Sequence, residues 1–165
     1  MLYQKIIEKM NDEGVEYLVA GGIAVNLYGF IRATMDLDVL LLLDDLNTGK
    51  FIKIVKELGY QPVIPVAIDD LSDPVKRKEW ISKKNMKVFS VYNPENSMEH
   101  VDILLEDNIG FRQAYARREI IKTGNLRINL INIDDLIRLK EISGRERDKN
   151  DVRALRKIKE LRDEK

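Results

Sequence analysis

The sequence predicts a mixed α/β fold, with a mixed central sheet covered by helices and two C-terminal helices packed onto it. Three observations carry this. Short runs rich in Val, Ile and Leu (15–20, 35–43, 86–92 and 99–105) alternate irregularly with stretches of helical period, which suits a mixed sheet better than regular βαβ repeats. The 165 residues are 44% hydrophobic, enough to bury one core of ordinary domain size. No linker, repeat or low-complexity segment interrupts them, so a single domain is expected over 1–165, with a core at 1–131 and a helical part at 132–165.

Taken in order, residues 1–10 place Leu2, Ile6, Ile7 and Met10 near one helical face, and Asn11-Asp12-Glu13-Gly14 stops that helix. A short buried strand is expected at 15–20, ended by Gly21-Gly22, and one or two helical turns at 23–28, closed by Gly29. The strongest strand signal is 35–43. A helix at 47–58 follows, with Gly59 as its stop, and then an edge strand at 60–65, where two prolines limit ladder bonding. The charged stretch 69–84, broken by Pro74, reads as short surface helices. Strands are expected at 86–92 and 99–105, joined by a loop through 93–96, then a short helix at 111–118. Small strands at 120–122 and 126–131 flank Gly124-Asn125, and two helices close the chain at 133–143 and 147–163.

Composition excludes several functions. There is no Cys, hence no disulfide and no thiolate metal site, and the single histidine, His100, cannot build a His-rich zinc centre. No apolar run is long enough to cross a bilayer, so a cytoplasmic protein without membrane partners is expected. The 28 basic and 28 acidic residues cancel, but unevenly: 112–165 holds 16 Lys/Arg against 10 Asp/Glu, and 1–111 holds 12 against 18. An acidic part able to bind metal and a basic part able to bind phosphate fit a nucleotide enzyme; a solvated basic helix gives the same numbers.

The chemistry concentrates in Tyr17-Leu-Val-Ala-Gly-Gly22 and Ile31-Arg-Ala-Thr-Met-Asp36-Leu-Asp38-Val. Residues two apart in a strand share a face, so Asp36 and Asp38 project side by side at the mouth of an apolar run. Like charges there call for compensation, and all-oxygen ligands select a hard cation, Mg²⁺ with Mn²⁺ as the alternative. On their own the two acids also fit strand-start residues facing water. Gly21 and Gly22 tip the balance, because a Gly-Gly turn opening a helix lets backbone N–H groups approach a phosphate. Arg32 can pair with phosphate oxygens, or with Asp36, and Thr34 can donate to a phosphate. Two-metal phosphoryl transfer needs a further acid, and Asp102, in the apolar strand His100-Val-Asp-Ile-Leu-Leu105, is the best candidate; Glu99 is out of register with it.

Gly-Gly, thirteen residues, Asp-x-Asp in an apolar strand and a later single Asp resemble the DNA polymerase beta-type nucleotidyltransferase superfamily. The form Gly21-Gly22…Arg32-Ala-Thr34-Met-Asp36-Leu-Asp38 is closer to its small prokaryotic branch, which includes Abi-type toxin nucleotidyltransferases and related domains of unknown function. The segment Leu136-Ile-Arg-Leu-Lys140…Gly144-Arg-Glu-Arg-Asp148-Lys-Asn-Asp151 resembles their C-terminal helices. The resemblance implies the nucleotidyltransferase fold, with Gly21 and Gly22 touching the triphosphate of an NTP and Asp36, Asp38 and Asp102 as metal and catalytic carboxylates. Where superfamily members often carry Gly-Ser, this chain has Gly22, and Thr34 would supply the hydroxyl.

On the helix at 133–143, Lys140 rides beside the apolar stripe of Ile133, Leu136 and Ile137, from which it can snorkel toward a triphosphate or merely cover the core edge. Arg145, Asp148 and Asp151, three apart, are expected to form a local ion-pair ladder. The expected activity is transfer of a nucleoside monophosphate from an NTP such as ATP to an acceptor hydroxyl, on tRNA, a protein or a small alcohol. The alternative is a non-catalytic nucleotide- or partner-binding module, as in a toxin–antitoxin pair or an RNA-binding adaptor.

Overall fold

The computed structural model describes residues 2–165, and Met1, where the first expected helix begins, lies outside the described residues. A seven-stranded mixed sheet runs in the order β3-β4-β5-β2-β1-β7-β6. Its strands are β1 (Tyr17–Ala20), β2 (Leu37–Leu41), β3 (Gln61–Pro62), β4 (Val88–Asn93), β5 (Asn96–Leu104), β6 (Glu119–Thr123) and β7 (Leu126–Leu130). The helices are α1 (Gln4–Asp12), α2 (Gly21–Leu27), α3 (Asp45–Glu57), α4 (Pro74–Lys84), α5 (Phe111–Ala116), α6 (Ile133–Ser143) and α7 (Glu146–Asp163), with a 3-10 turn at Ile68–Ser72.

Local chemistry sets the boundaries. Asp44 caps α3 by accepting from the Asn47 N–H at 2.7 Å, and Asn132 caps α6 by accepting from the Asp134 N–H at 3.0 Å. Gly144, at φ +63°, closes α6 in the left-handed conformation. Pro74 does not break a helix. It starts α4 at the position where its missing N–H costs nothing, behind the Asp73 cap. The edge strand shrinks to Gln61–Pro62, and α2 begins on the glycines themselves instead of after them.

The centre of the sheet positions the acids. β2 lies antiparallel to β1 and parallel to β5, so the apolar chain around Asp38 is paired on both sides. Leu37, Val39, Val101 and Ile103 point into the core and are fully buried, which turns Asp38 and Asp102 to the opposite face. α6 and α7 pack on each other, and α6 meets α2, bringing the C-terminal helices to that acid-bearing region. One apolar cluster runs from Tyr3 on the N-terminal side to Leu155 on α7. No helix among the described residues is long and apolar enough to cross a membrane.

Candidate active site

Three strands present acids or their partners at one level. Asp38 on β2 is the register partner of Asp102 on β5, and Asp102 is the partner of Ser90 on β4. The Ser90 hydroxyl donates to Asp102 Oδ1 at 2.5 Å. Burial raises Asp38 to about 6, the Asp102 charge adds to this, and Lys140 and the Gly22 N–H pull the other way. Asp102 is also raised by burial, against the Ser90 hydroxyl. Asp36 lies just ahead of β2 and is exposed. Among the described residues, no three acidic or histidine side chains stand close enough together to hold a metal ion as they are. The structure thus brings Asp38 and Asp102 together and leaves Asp36 at the mouth, within electrostatic reach of both.

Tyr3 fixes that mouth. Its ring is buried, and its hydroxyl donates to the Met35 carbonyl at 2.5 Å while accepting from the His100 N–H at 3.2 Å. It therefore bridges β2 and β5 where their own ladder ends, next to Asp36. Burial drives its pKa up to about 12, so it stays a neutral donor. Tyr3→Phe removes both bonds and is expected to cost about 1–3 kcal/mol. It should also weaken Mn²⁺ binding more than a control such as Tyr92→Phe does. Urea unfolding and a Mn²⁺ titration check the two effects.

The two glycines have a tighter reason than the sequence supplied. Gly21 sits at φ +61°, and a Cβ there would fall into the Asp38 carboxylate, with Cγ at 2.5 Å. A Cβ on Gly22 would overlap the Thr34 hydroxyl and lie 3.2 Å from Arg32 Nη1. The turn makes room for Asp38 and Thr34 first. It also gathers Gly22, Arg32, Thr34 and Asp38 within one side chain's reach.

Arg32 and Lys140 converge on one buried acid. Arg32 does not pair with Asp36. Its Nε and Nη2 both donate to Asp151, each at 2.8 Å, and Asn26 holds its backbone through two hydrogen bonds. Lys140 is buried and donates to Asp148 and to Asp151, both at 2.9 Å. The expected local ion-pair ladder of Arg145, Asp148 and Asp151 is found only in part. Arg145 does pair with Asp148, but both acids are fully buried and tie α7 to Lys140 on α6 and Arg32 before β2. Burial alone would raise Asp148, yet Arg145, Lys140 and Ser143 hold it down to about 2, and Arg32 and Lys140 likewise lower Asp151. The cations balance these acids locally, and Lys140 still reaches Asp38 with its field.

Solved structures share this fold. The lincosamide antibiotic adenylyltransferase LnuA, bound to lincomycin, superposes with a TM-score of 0.58 at 20% identity over 93% of each chain. ANT(2″)-Ia in complex with adenylyl-2″-tobramycin gives 0.58 at 13% identity, over 98% of this chain and 92% of its own. An antigenic nucleotidyltransferase-like protein from Paracoccidioides brasiliensis gives 0.57 at 15% identity, over 94% and 72%. The chain has the nucleotidyltransferase fold. No family model and no curated protein matches the sequence. Within this fold, Ser90, Tyr3, Asp148 and Asp151 join the site without having been singled out as functional from sequence. Ser90 carried a usable signal, since it sits mid-strand in an apolar run and must find a buried partner.

Proposed function

We propose that the protein is a nucleotidyltransferase that moves a nucleoside monophosphate from an NTP to the hydroxyl of a small acceptor. The observation that carries this reading is the facing pair Asp38–Asp102 beside Gly22, Thr34, Arg32 and Lys140. Two half-buried carboxylates, each raised by burial and Asp38 further by Asp102, with oxygen as their only donor atoms, fit a hard divalent cation. Asp36, Asp38 and Asp102 would hold Mg²⁺ or Mn²⁺, which would neutralise the triphosphate and the developing charge. Asp36, exposed and adjacent, has the freedom to turn onto such an ion.

In this reading Gly21 and Gly22 offer backbone to the triphosphate, and Thr34 its hydroxyl. Arg32 and Lys140 supply positive charge from fixed positions, since Asp151 and Asn26 hold them without filling every N–H. Asp102 orients the acceptor hydroxyl and takes its proton. The acceptor oxygen forms a bond to the α-phosphorus as the bond to pyrophosphate breaks. Positioning and charge do the catalysis, which is why so few residues suffice. Two fold neighbours of known acceptor carry lincomycin and adenylyl-tobramycin, and this supports a small hydroxylated acceptor over a macromolecule.

The test is incubation with Mg²⁺, each α-labelled NTP in turn and a library of small hydroxylated compounds. Labelled product is expected with wild type and its loss with Asp38→Asn. Label transfer that survives in Asp38→Asn would sink the assignment.

A further inference from the structure

The sheet face carrying Asp102 continues outward from the acids onto two stacked rings. His100, two residues from Asp102 on β5, shares its face, and Tyr92 on β4 is the register partner of His100. Their rings stack at 6.1 Å between centroids and 27° between planes, and both residues are half-buried. Tyr92 Oη reaches Gln61 Oε1 on β3 at 3.3 Å. Among the described residues neither imidazole nitrogen of His100 takes part in a hydrogen bond, its backbone N–H alone meeting the Tyr3 hydroxyl, so both nitrogens are open to a ligand. Met98, two residues away on β5, is exposed.

We infer that His100 and Tyr92 form the wall on which the acceptor rests, and that the acceptor is a polyhydroxylated ring, a sugar or cyclitol, with one hydroxyl at Asp102. The inference builds on the nucleotidyl-transfer reading and names its acceptor class. An aromatic pair with polar edges suits a saturated ring, whose C–H faces lie against the π system while its hydroxyls meet the imidazole and the phenol. The distance fits as well, because side chains two apart on a strand are separated by roughly 6.5–7 Å, about the span of a pyranose with its hydroxyl.

Charge argues against a nucleic-acid acceptor. β3, β4 and β5 contain no Lys or Arg, and the 1–111 part holds 12 basic against 18 acidic residues. A phosphodiester strand needs cations along its path, and this face offers none on its strands. A neutral or amino sugar meets no such penalty.

The single histidine makes the test direct, since the one imidazole C–H signal set in a ¹H–¹³C spectrum belongs to His100. Methyl α-D-glucopyranoside, glucosamine and myo-inositol are titrated against the full chain, with glycerol and the trinucleotide CCA as comparisons. At least one ring compound is expected to shift the His100 signals saturably. Its affinity should fall about tenfold in Tyr92→Leu, while calorimetric binding of Mg²⁺ with a non-hydrolysable ATP analogue stays unchanged. Absence of a shift with all three ring compounds in wild type overturns the inference, as does a response to the trinucleotide in their place. The shift is read without turnover. Failure of nucleotide binding would therefore count against the transferase reading and leave the ring-binding result to stand or fall separately.

Discussion

Replacing Asp38 with Asn is expected to cut transfer about 10³-fold and, at neutral pH, to stabilise the metal-free protein. The two effects share one cause. Burial and the neighbouring Asp102 hold the Asp38 proton up to about 6, from an ordinary value of 3.8. Between those pH values the native state keeps a proton that the unfolded chain has released, so stability falls as pH rises through the window and the whole penalty stands above about 6. That shift corresponds to about 3 kcal/mol at most. Asn removes the buried charge and its repulsion, at the expense of attractions to Lys140 and the Gly22 N–H, so a gain of about 1–2 kcal/mol is expected near pH 7 and little near pH 4. Loss of one carboxylate aimed at the reacting phosphates should lower the transfer rate by about 10³-fold, or ~4 kcal/mol. Urea midpoints of the two proteins at both pH values, with the rate at saturating NTP, measure both effects.

The second large effect concerns Asp151. Asp151→Ala strips the shared partner from Arg32 and Lys140 in a place where Asp151 itself has no solvent exposure. Removing one member of a buried ion network leaves uncompensated charge and costs about 3–5 kcal/mol. Lys140 keeps Asp148, whereas Arg32 loses its only acidic partner among the described salt bridges, so the loop before β2 should loosen as well. Asp151→Asn retains hydrogen-bond acceptance and should cost visibly less. Denaturant unfolding with unchanged m-values distinguishes the series. Lowered nucleotide affinity in Asp151→Ala, but not in a variant of the Arg117–Asp135 pair, whose acid alone is buried, would tie the network to the site.

What the sequence revealed and what it hid follow from the range of each interaction. α6 was legible to the residue because its determinants are local: the Asn132 cap, the apolar stripe and Gly144. That Asp38 turns away from the core needed only strand alternation, and Asp102 needed only its apolar neighbours; Asp36 falls just before β2, outside that alternation. The Ser90–Asp102 bond required knowing that β4 and β5 pair in that register, which no local pattern states. Arg32 and Asp151 are 119 positions apart. The three-residue spacing of Arg145, Asp148 and Asp151 suggested a local ion-pair ladder, yet Asp148, Asp151, Val152 and Leu155 repeat at three and four and form the buried stripe of α7, whose acids reach other elements. That stripe was the available signal that the acids face inward. The glycine turn was read for phosphate access, while its stricter requirement, room for Asp38, appears only once β1 and β2 are paired.

The central claim is that Asp36, Asp38 and Asp102 bind a divalent cation together with an NTP. Calorimetric titration of a non-hydrolysable ATP analogue, with and without Mn²⁺, into wild type, Asp38→Asn and Asp102→Asn tests it most directly. The account predicts Mn²⁺-dependent, one-to-one binding to wild type and its loss in both variants, each still folded. Binding to the variants with wild-type affinity, or wild-type binding that ignores Mn²⁺, would contradict it.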